Sequence, residues 1–117
     1  MKVIIAGSRS IHAKELIPQV ARYSGFTISE VVSGGAAGVD TLGEEFAKSF
    51  GIDLVIFPAN WTRYHQSAGP IRNRKMAGYA DALIAIWDGS SKGTQDMIKT
   101  MEALGKPVFV YKTESLQ

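Results

Sequence analysis

The chain has 117 residues, 45% of them hydrophobic and 21% charged, a globular composition that excludes a disordered tail or a collagen-like repeat and fits one domain over 1–117. Thirteen Lys and Arg against eleven Asp and Glu leave a net charge of +2, too weak a field for nonspecific grip on a duplex, so phosphate binding is expected to be local. With no cysteine, disulfides and thiolate chemistry are excluded, and His12 and His65 stand too far apart in sequence for a zinc site; neither metal nor cofactor is expected.

In chain order, Val3 to Ala6 is a short β-branched run stopped by Gly7-Ser8-Arg9-Ser10, which reads as a strand buried on both faces. The run is far too short for a signal-peptide core or a spanning helix, so a soluble, cytoplasmic protein with no membrane partner is expected. Leu16, Val20 and Tyr23 recur at helical spacing, with Pro18 placing the start near Ile17 or distorting it, and Gly25 ends the helix. Ile28 to Ser33 is the second strand. Gly34-Gly35 leads into a second helix whose Val39, Leu42, Phe46 and Phe50 form one apolar stripe, closed by Gly51. Leu54 to Phe57 is the third strand.

Pro58 to Pro70 lacks clean periodicity and carries Trp61, Tyr64 and His65, so it reads as a long, partly ordered loop. Arg72 to Tyr79 is predicted helical, Ala82 to Trp87 the fourth strand, Asp88 to Lys92 a turn, Gly93 to Leu104 a helix, and Val108 to Tyr111 the fifth strand. This alternation predicts a single Rossmann-like α/β domain: a mainly parallel sheet of about five strands in a three-layer α/β/α sandwich, with its ligand site at the strand carboxyl ends.

Candidate polar groups cluster just after strands. Gly7-Ser8-Arg9 follows the first, Ser33-Gly34-Gly35-Ala36-Ala37-Gly38-Val39-Asp40 the second, and Asp88-Gly89-Ser90-Ser91-Lys92-Gly93-Thr94 the fourth. Glycines let the backbone approach a ligand, and unpaired amides opening a helix favour an anion, so phosphate is the natural guest. Any one glycine pair alone reads equally as a tight turn; three together favour the ligand. Strand one ends in GSRS rather than a three-glycine dinucleotide fingerprint, and in GSSKGT the lysine precedes the last glycine, unlike a Walker loop.

Around Pro70, which marks a helix start, Arg72, Asn73, Arg74 and Lys75 place three cations and an amide. Such cations in a first turn oppose the helix dipole unless an anion compensates them, and a charged solvent face is the plainer explanation. Arg72 and Lys75, three apart, can share a face. Asp40 fits either a helix-start role or acceptance from a ribose hydroxyl. Trp61 and Tyr64 can stack on a base or anchor their loop in the core. His65 reads as an ordinary loop residue.

These pieces in this order resemble the SLOG superfamily, which joins the DprA (Smf) proteins with the LOG phosphoribohydrolases. GSR, SGGAAGVD, AxW, AGPIRNRKM and the DGSxKGT turn look most like its small YspA and cpYpsA-related branch, common in bacterial and phage genomes. The resemblance implies a nucleotide or nucleotide-derived ligand, held by amides near Gly34, Gly35, Gly93 and Thr94 with Arg9 and Arg72 assisting, in a sensor, carrier or sequestering protein.

Against LOG enzymes, Arg72 and Met76 match the family's arginine and methionine, while Asn73 replaces the lysine beside that arginine. Asp96 meets the first acid of GTxEE and Met97 erases the second. A nucleoside monophosphate phosphoribohydrolase would therefore rest on Arg72 and Asp96 alone, which weakens the case for chemistry. DprA-like binding of single-stranded DNA is a third alternative, opposed by the low charge and small size. A homodimer follows from the open edges of such a sheet and from analogy with the family.

Overall fold

Alternate side chains of the first strand enter two different cores, as a strand covered on both faces requires. In the computed structural model, which describes residues 1–113, this strand is β1 (Lys2–Gly7), and Val3 and Ile5 face one core while Ile4 and Ala6 face the other. The elements that follow are α1 (Leu16–Ser24), β2 (Glu30–Ser33), α2 (Val39–Ser49), β3 (Asp53–Ile56), α3 (Trp61–Tyr64), α4 (Ala68–Tyr79), β4 (Ala82–Trp87), α5 (Lys92–Ala103) and β5 (Val108–Lys112). The five strands form one sheet ordered β3-β2-β1-β4-β5, with every pairing parallel.

Helices α1 and α2 cover one face through Ile17, Val20, Val39, Leu42 and Phe46. Helices α4 and α5 cover the other through Met76, Ala77, Met97, Ile98 and Met101. The strand order therefore reverses between β1 and β4, and the carboxyl ends of these strands open a crevice where the flanking helices diverge. That is where the polar loops converge.

Several boundaries differ from the sequence expectation for local reasons. Pro18 lies in the first turn of α1, where its missing N–H leaves no bond unmade, so the helix starts at Leu16 without distortion. Phe50 follows α2 and is exposed, its ring tilted against that of Phe46 with centroids 4.9 Å apart, so it leaves the buried apolar stripe. The third strand lies at the sheet edge with Ile56 exposed. The segment expected as a loop over 58–70 is instead mostly helical: α3, then a 3-10 turn at His65–Ser67, then the start of α4 at Ala68. Pro70 is thus the third residue of α4, and Arg72, Arg74 and Lys75 fall beyond its first turn, so they do not oppose the unpaired amides there.

The junction between α4 and β4 carries its own cap. Lys106 Nζ donates to the carbonyls of Ala77 at 2.6 Å and Ala80 at 2.8 Å, satisfying acceptors that the helix end leaves without partners. Lys106→Met keeps most of the stem but removes these charge-assisted bonds, and is expected to cost about 1–2 kcal/mol, read as a lower urea midpoint.

Candidate functional site

The crevice holds a cleft of about 460 Å³, within the range of small-molecule sites. It is lined by β1's Ala6 and Gly7, by Met76 and Met97 from α4 and α5, by the α5 start, Ser91 to Thr94 with Asp96, and by Arg9, Asp40, Arg72 and Trp61. A second hollow of about 400 Å³ adjoins it over Gly34, Gly35, Ala37 and Glu44 and shares Arg9, Ala36, Trp61 and Arg72 with the first. The two adjoin along the strand ends through these shared residues.

The α5 turn is built by Asp88. Its Oδ1 accepts from the amides of Ser90 at 2.8 Å and Ser91 at 2.9 Å, and its own amide donates to the buried Ser8 hydroxyl at 3.0 Å. These amide bonds hold the Asp88 carboxyl below its ordinary range, with the Ser8 and Ser90 hydroxyls adding to the effect against a smaller contribution from burial. Past that turn, the amides of Lys92, Gly93 and Thr94 have no hydrogen-bond partner among the described residues and open onto the cleft, the arrangement that favours an anion. Arg9 lines the same cleft, is exposed, and makes no side-chain hydrogen bond among the described residues.

The glycine loop after β2 is different. Asp40, only 5% exposed, turns its carboxylate back from α2 onto this loop and accepts from the Ala36 amide at 3.2 Å. The Gly35 amide donates to Ser33 Oγ at 3.1 Å, and Ser33 Oγ in turn donates to Glu44 Oε2 at 2.6 Å. Burial pushes the Asp40 carboxyl up, against the lowering effect of the Ala36 amide, the Arg72 charge and the Gly34 amide. Of the loop amides expected to cradle phosphate, that of Gly35, with that of Ala36 beside it, is therefore already engaged by the protein's own oxygens.

Arg72 reaches this loop from α4. Its Nη1 donates to the Gly34 carbonyl and its Nε to Asn73 Oδ1 at 3.0 Å, while Asn73 Nδ2 donates to Asp96 Oδ2 at 2.9 Å and to the Gly93 carbonyl at 3.3 Å. One chain of bonds thus joins the glycine loop, α4 and the α5 start. Burial lowers the Arg72 pKa, Asp40 raises it and Arg9 lowers it.

Of the residues singled out in the sequence, Gly7, Arg9, Ala36, Asp40, Arg72 and Asn73 meet in the main cleft together with Ser91, Lys92, Gly93, Thr94 and Asp96, and Gly34 and Gly35 line the adjoining hollow. Ser8, Ser33 and Gly38 are buried behind the walls, and Gly89 and Ser90 sit on the outer side of their turn. Trp61 does not anchor its segment: it is half-exposed, lines both hollows, and lies against Gly69, where an added Cβ would stand 3.5 Å from its ring. Tyr64 faces a separate hollow with Ile71 and Lys75. Lys75 and Arg72 do share that face. Glu44 escaped the sequence reading, although its spacing four after Asp40 puts both acids on one face of α2.

The two perturbed carboxyls give opposite pH signatures. A folded pKa raised above its ordinary value, as for Asp40, contributes stability that is full at low pH and is lost as pH rises through the folded pKa. A depressed one, as for Asp88, contributes stability that is present above the ordinary value and lost as pH falls through the folded pKa. In urea titrations from pH 3 to 7, the wild type is expected to lose ground to Asp40→Asn as pH rises above about 4, and to lose ground to Asp88→Asn as pH falls below about 4.

An all-parallel sheet with this strand order and polar loops gathered at its carboxyl edge defines a Rossmann-like α/β protein. Within that class, the chain belongs to the YspA, cpYpsA-related SLOG family, whose sequence model matches residues 1–64. No curated protein sequence matches the chain. Among solved structures, DNA processing protein A (DprA) from Streptococcus pneumoniae is similar with a TM-score of 0.73 at 20% identity, covering 99% of this chain and 52% of that one. The likeness is one of fold, and the chain spans about half the length of that structure. Among the described residues no helix is long and apolar enough to cross a membrane.

Proposed function

We propose that this protein binds a nucleotide or nucleotide-derived phosphate compound across the strand carboxyl ends, as a sensor, carrier or sequestering protein. One observation supports this above the others: the unpartnered amides of Lys92, Gly93 and Thr94 belong to residues that line the same cleft as the exposed Arg9. A phosphoryl group placed between them accepts from the helix start and from a guanidinium. The half-exposed Trp61 ring supplies a flat apolar surface beside them, suited to a base.

Native mass spectrometry of protein purified from its host tests the reading directly, because a retained ligand reports its own mass. With adenosine 5′-monophosphate as the test nucleotide, Arg9→Ala is expected to weaken binding about tenfold or more by calorimetry. Trp61→Ala should weaken the nucleotide but not inorganic phosphate. Equal affinity for all three proteins removes the reading.

A second reading rests on Asp96, whose carboxylate lines the cleft while one oxygen is held by Asn73. In it, the protein is a phosphoribohydrolase, with Asp96 stabilising the cationic sugar and Arg72 beside it. Release of free base from nucleoside monophosphates, followed by chromatography, selects this reading; intact nucleotide selects binding. Oligonucleotide affinity that falls steeply with salt would point instead to single-strand binding. A homodimer belongs to the same proposal. Edge strands β3 and β5 expose Ile56 and Val110, and light scattering from a monomer at high concentration would remove it.

A further inference from the structure

The glycine loop after β2 has the features of an anion site: Gly34 and Gly35 in sequence, an arginine leaning over it, and amides turned inward. Its interior is filled by the chain itself. The Asp40 carboxylate accepts from the Ala36 amide and faces Arg72; a Cβ built on Gly34 would stand 2.5 Å from Arg72 Nη1 and 2.9 Å from Asp40 Oδ2. The carboxylate and the guanidinium thus converge on one point. Asp40 is 5% exposed, so its carboxyl is surrounded by the loop and Arg72 rather than by solvent.

We infer that Asp40 is a specificity-determining residue, an internal anion that occupies the glycine loop and confines a ligand's phosphoryl group to the α5 start. The single-phosphoryl part of this inference rests on the proposed function, whereas the occupied loop stands on the Asp40 and Arg72 geometry alone. A negative group entering the adjoining hollow meets Glu44 in its wall and a second carboxylate beneath the loop, and the guanidinium that would receive it is already faced by Asp40 and bonded to the Gly34 carbonyl. Like charges at this range raise the cost of a second anion, and burial magnifies it. The site therefore selects ligands with one phosphoryl group and admits neutral groups toward Glu44.

The test uses the full chain and inorganic phosphate as probe, with uptake at saturation measured by calorimetry. Asp40→Asn keeps the size and an acceptor for the Ala36 amide but removes the charge. The wild type is expected to take up one phosphate and Asp40→Asn two, a doubling that Arg72→Met in the same chain reverses. The inference is overturned if Asp40→Asn takes up no more phosphate than the wild type, or if the doubling survives the loss of Arg72. A wild type that binds none while Asp40→Asn binds one removes the α5 subsite and leaves the occupied loop standing. Asp40→Ser, which vacates the position, is the second variant. If either variant folds poorly, its melting gain in phosphate over chloride at matched ionic strength is compared with that of the wild type: a larger gain than the wild type's supports the inference, and a gain no larger overturns it.

Discussion

Gly38→Ala is expected to destabilise the fold by about 3 kcal/mol or more, a large part of the roughly 5–15 kcal/mol that holds a domain together. Gly38 sits at a φ of 73°, where a side chain carries strain of about 1–3 kcal/mol. A Cβ there would stand 2.4 Å from the Ser8 carbonyl oxygen and 2.5 Å from that of Arg9. Both are backbone atoms at the end of β1, so no side chain can rotate away, and the start of α2 must lift from the sheet. Gly51→Ala is the control. Its φ is 66° but a Cβ there meets nothing within 4 Å, so it should show the backbone cost alone. Urea denaturation of the two variants separates strain from collision, and equal losses would mean that α2 is free to shift away from β1.

Continuous apolar runs located β1, β3, β4 and β5, and β4 agrees to the residue because it is interior to the sheet and buried on both faces. Residues 58–70 escaped because a helix of four residues followed by a 3-10 turn has no buried face: none of Trp61 to Ser67 is buried, so no apolar period exists to find. The α4 start was misplaced for a related reason, since Pro70 is tolerated anywhere in the first turn and does not mark one position.

The site was legible as a place before it was legible as a mechanism. Glycines and polar residues after strands located the cleft, but sequence does not say where each amide's hydrogen bond goes. Ser33 and Asp40 both stood out, yet only the fold shows that their side chains return to the Gly35 and Ala36 amides and occupy those two donors. Arg72 likewise looked like a phosphate ligand, whereas its guanidinium fastens the Gly34 carbonyl to α4. Long-range closure of this kind depends on strand order, which no local pattern contains.

Gly93→Val is expected to abolish nucleotide binding, a loss of at least about 100-fold, while leaving the fold intact. Unlike Gly38, Gly93 does not require a left-handed backbone, and a Cβ added to it meets nothing within 4 Å. As the second residue of α5, it even gains slightly in helix propensity when replaced by valine. Helical Cα–Cβ bonds tilt toward the helix start, so the branched side chain would stand over the unpartnered amides of the first turn, where the phosphoryl group is proposed to sit. Gly34→Val is the contrast. There the new side chain collides with Arg72 and Asp40, so binding and stability should fall together. Lys99→Ala, exposed on the later part of α5, should change neither. Calorimetric titration with adenosine 5′-monophosphate, alongside thermal melts, distinguishes the three. If Gly93→Val melts like the wild type and binds like it, no anion sits on the α5 start, and the phosphate would have to be sought at Arg9 alone.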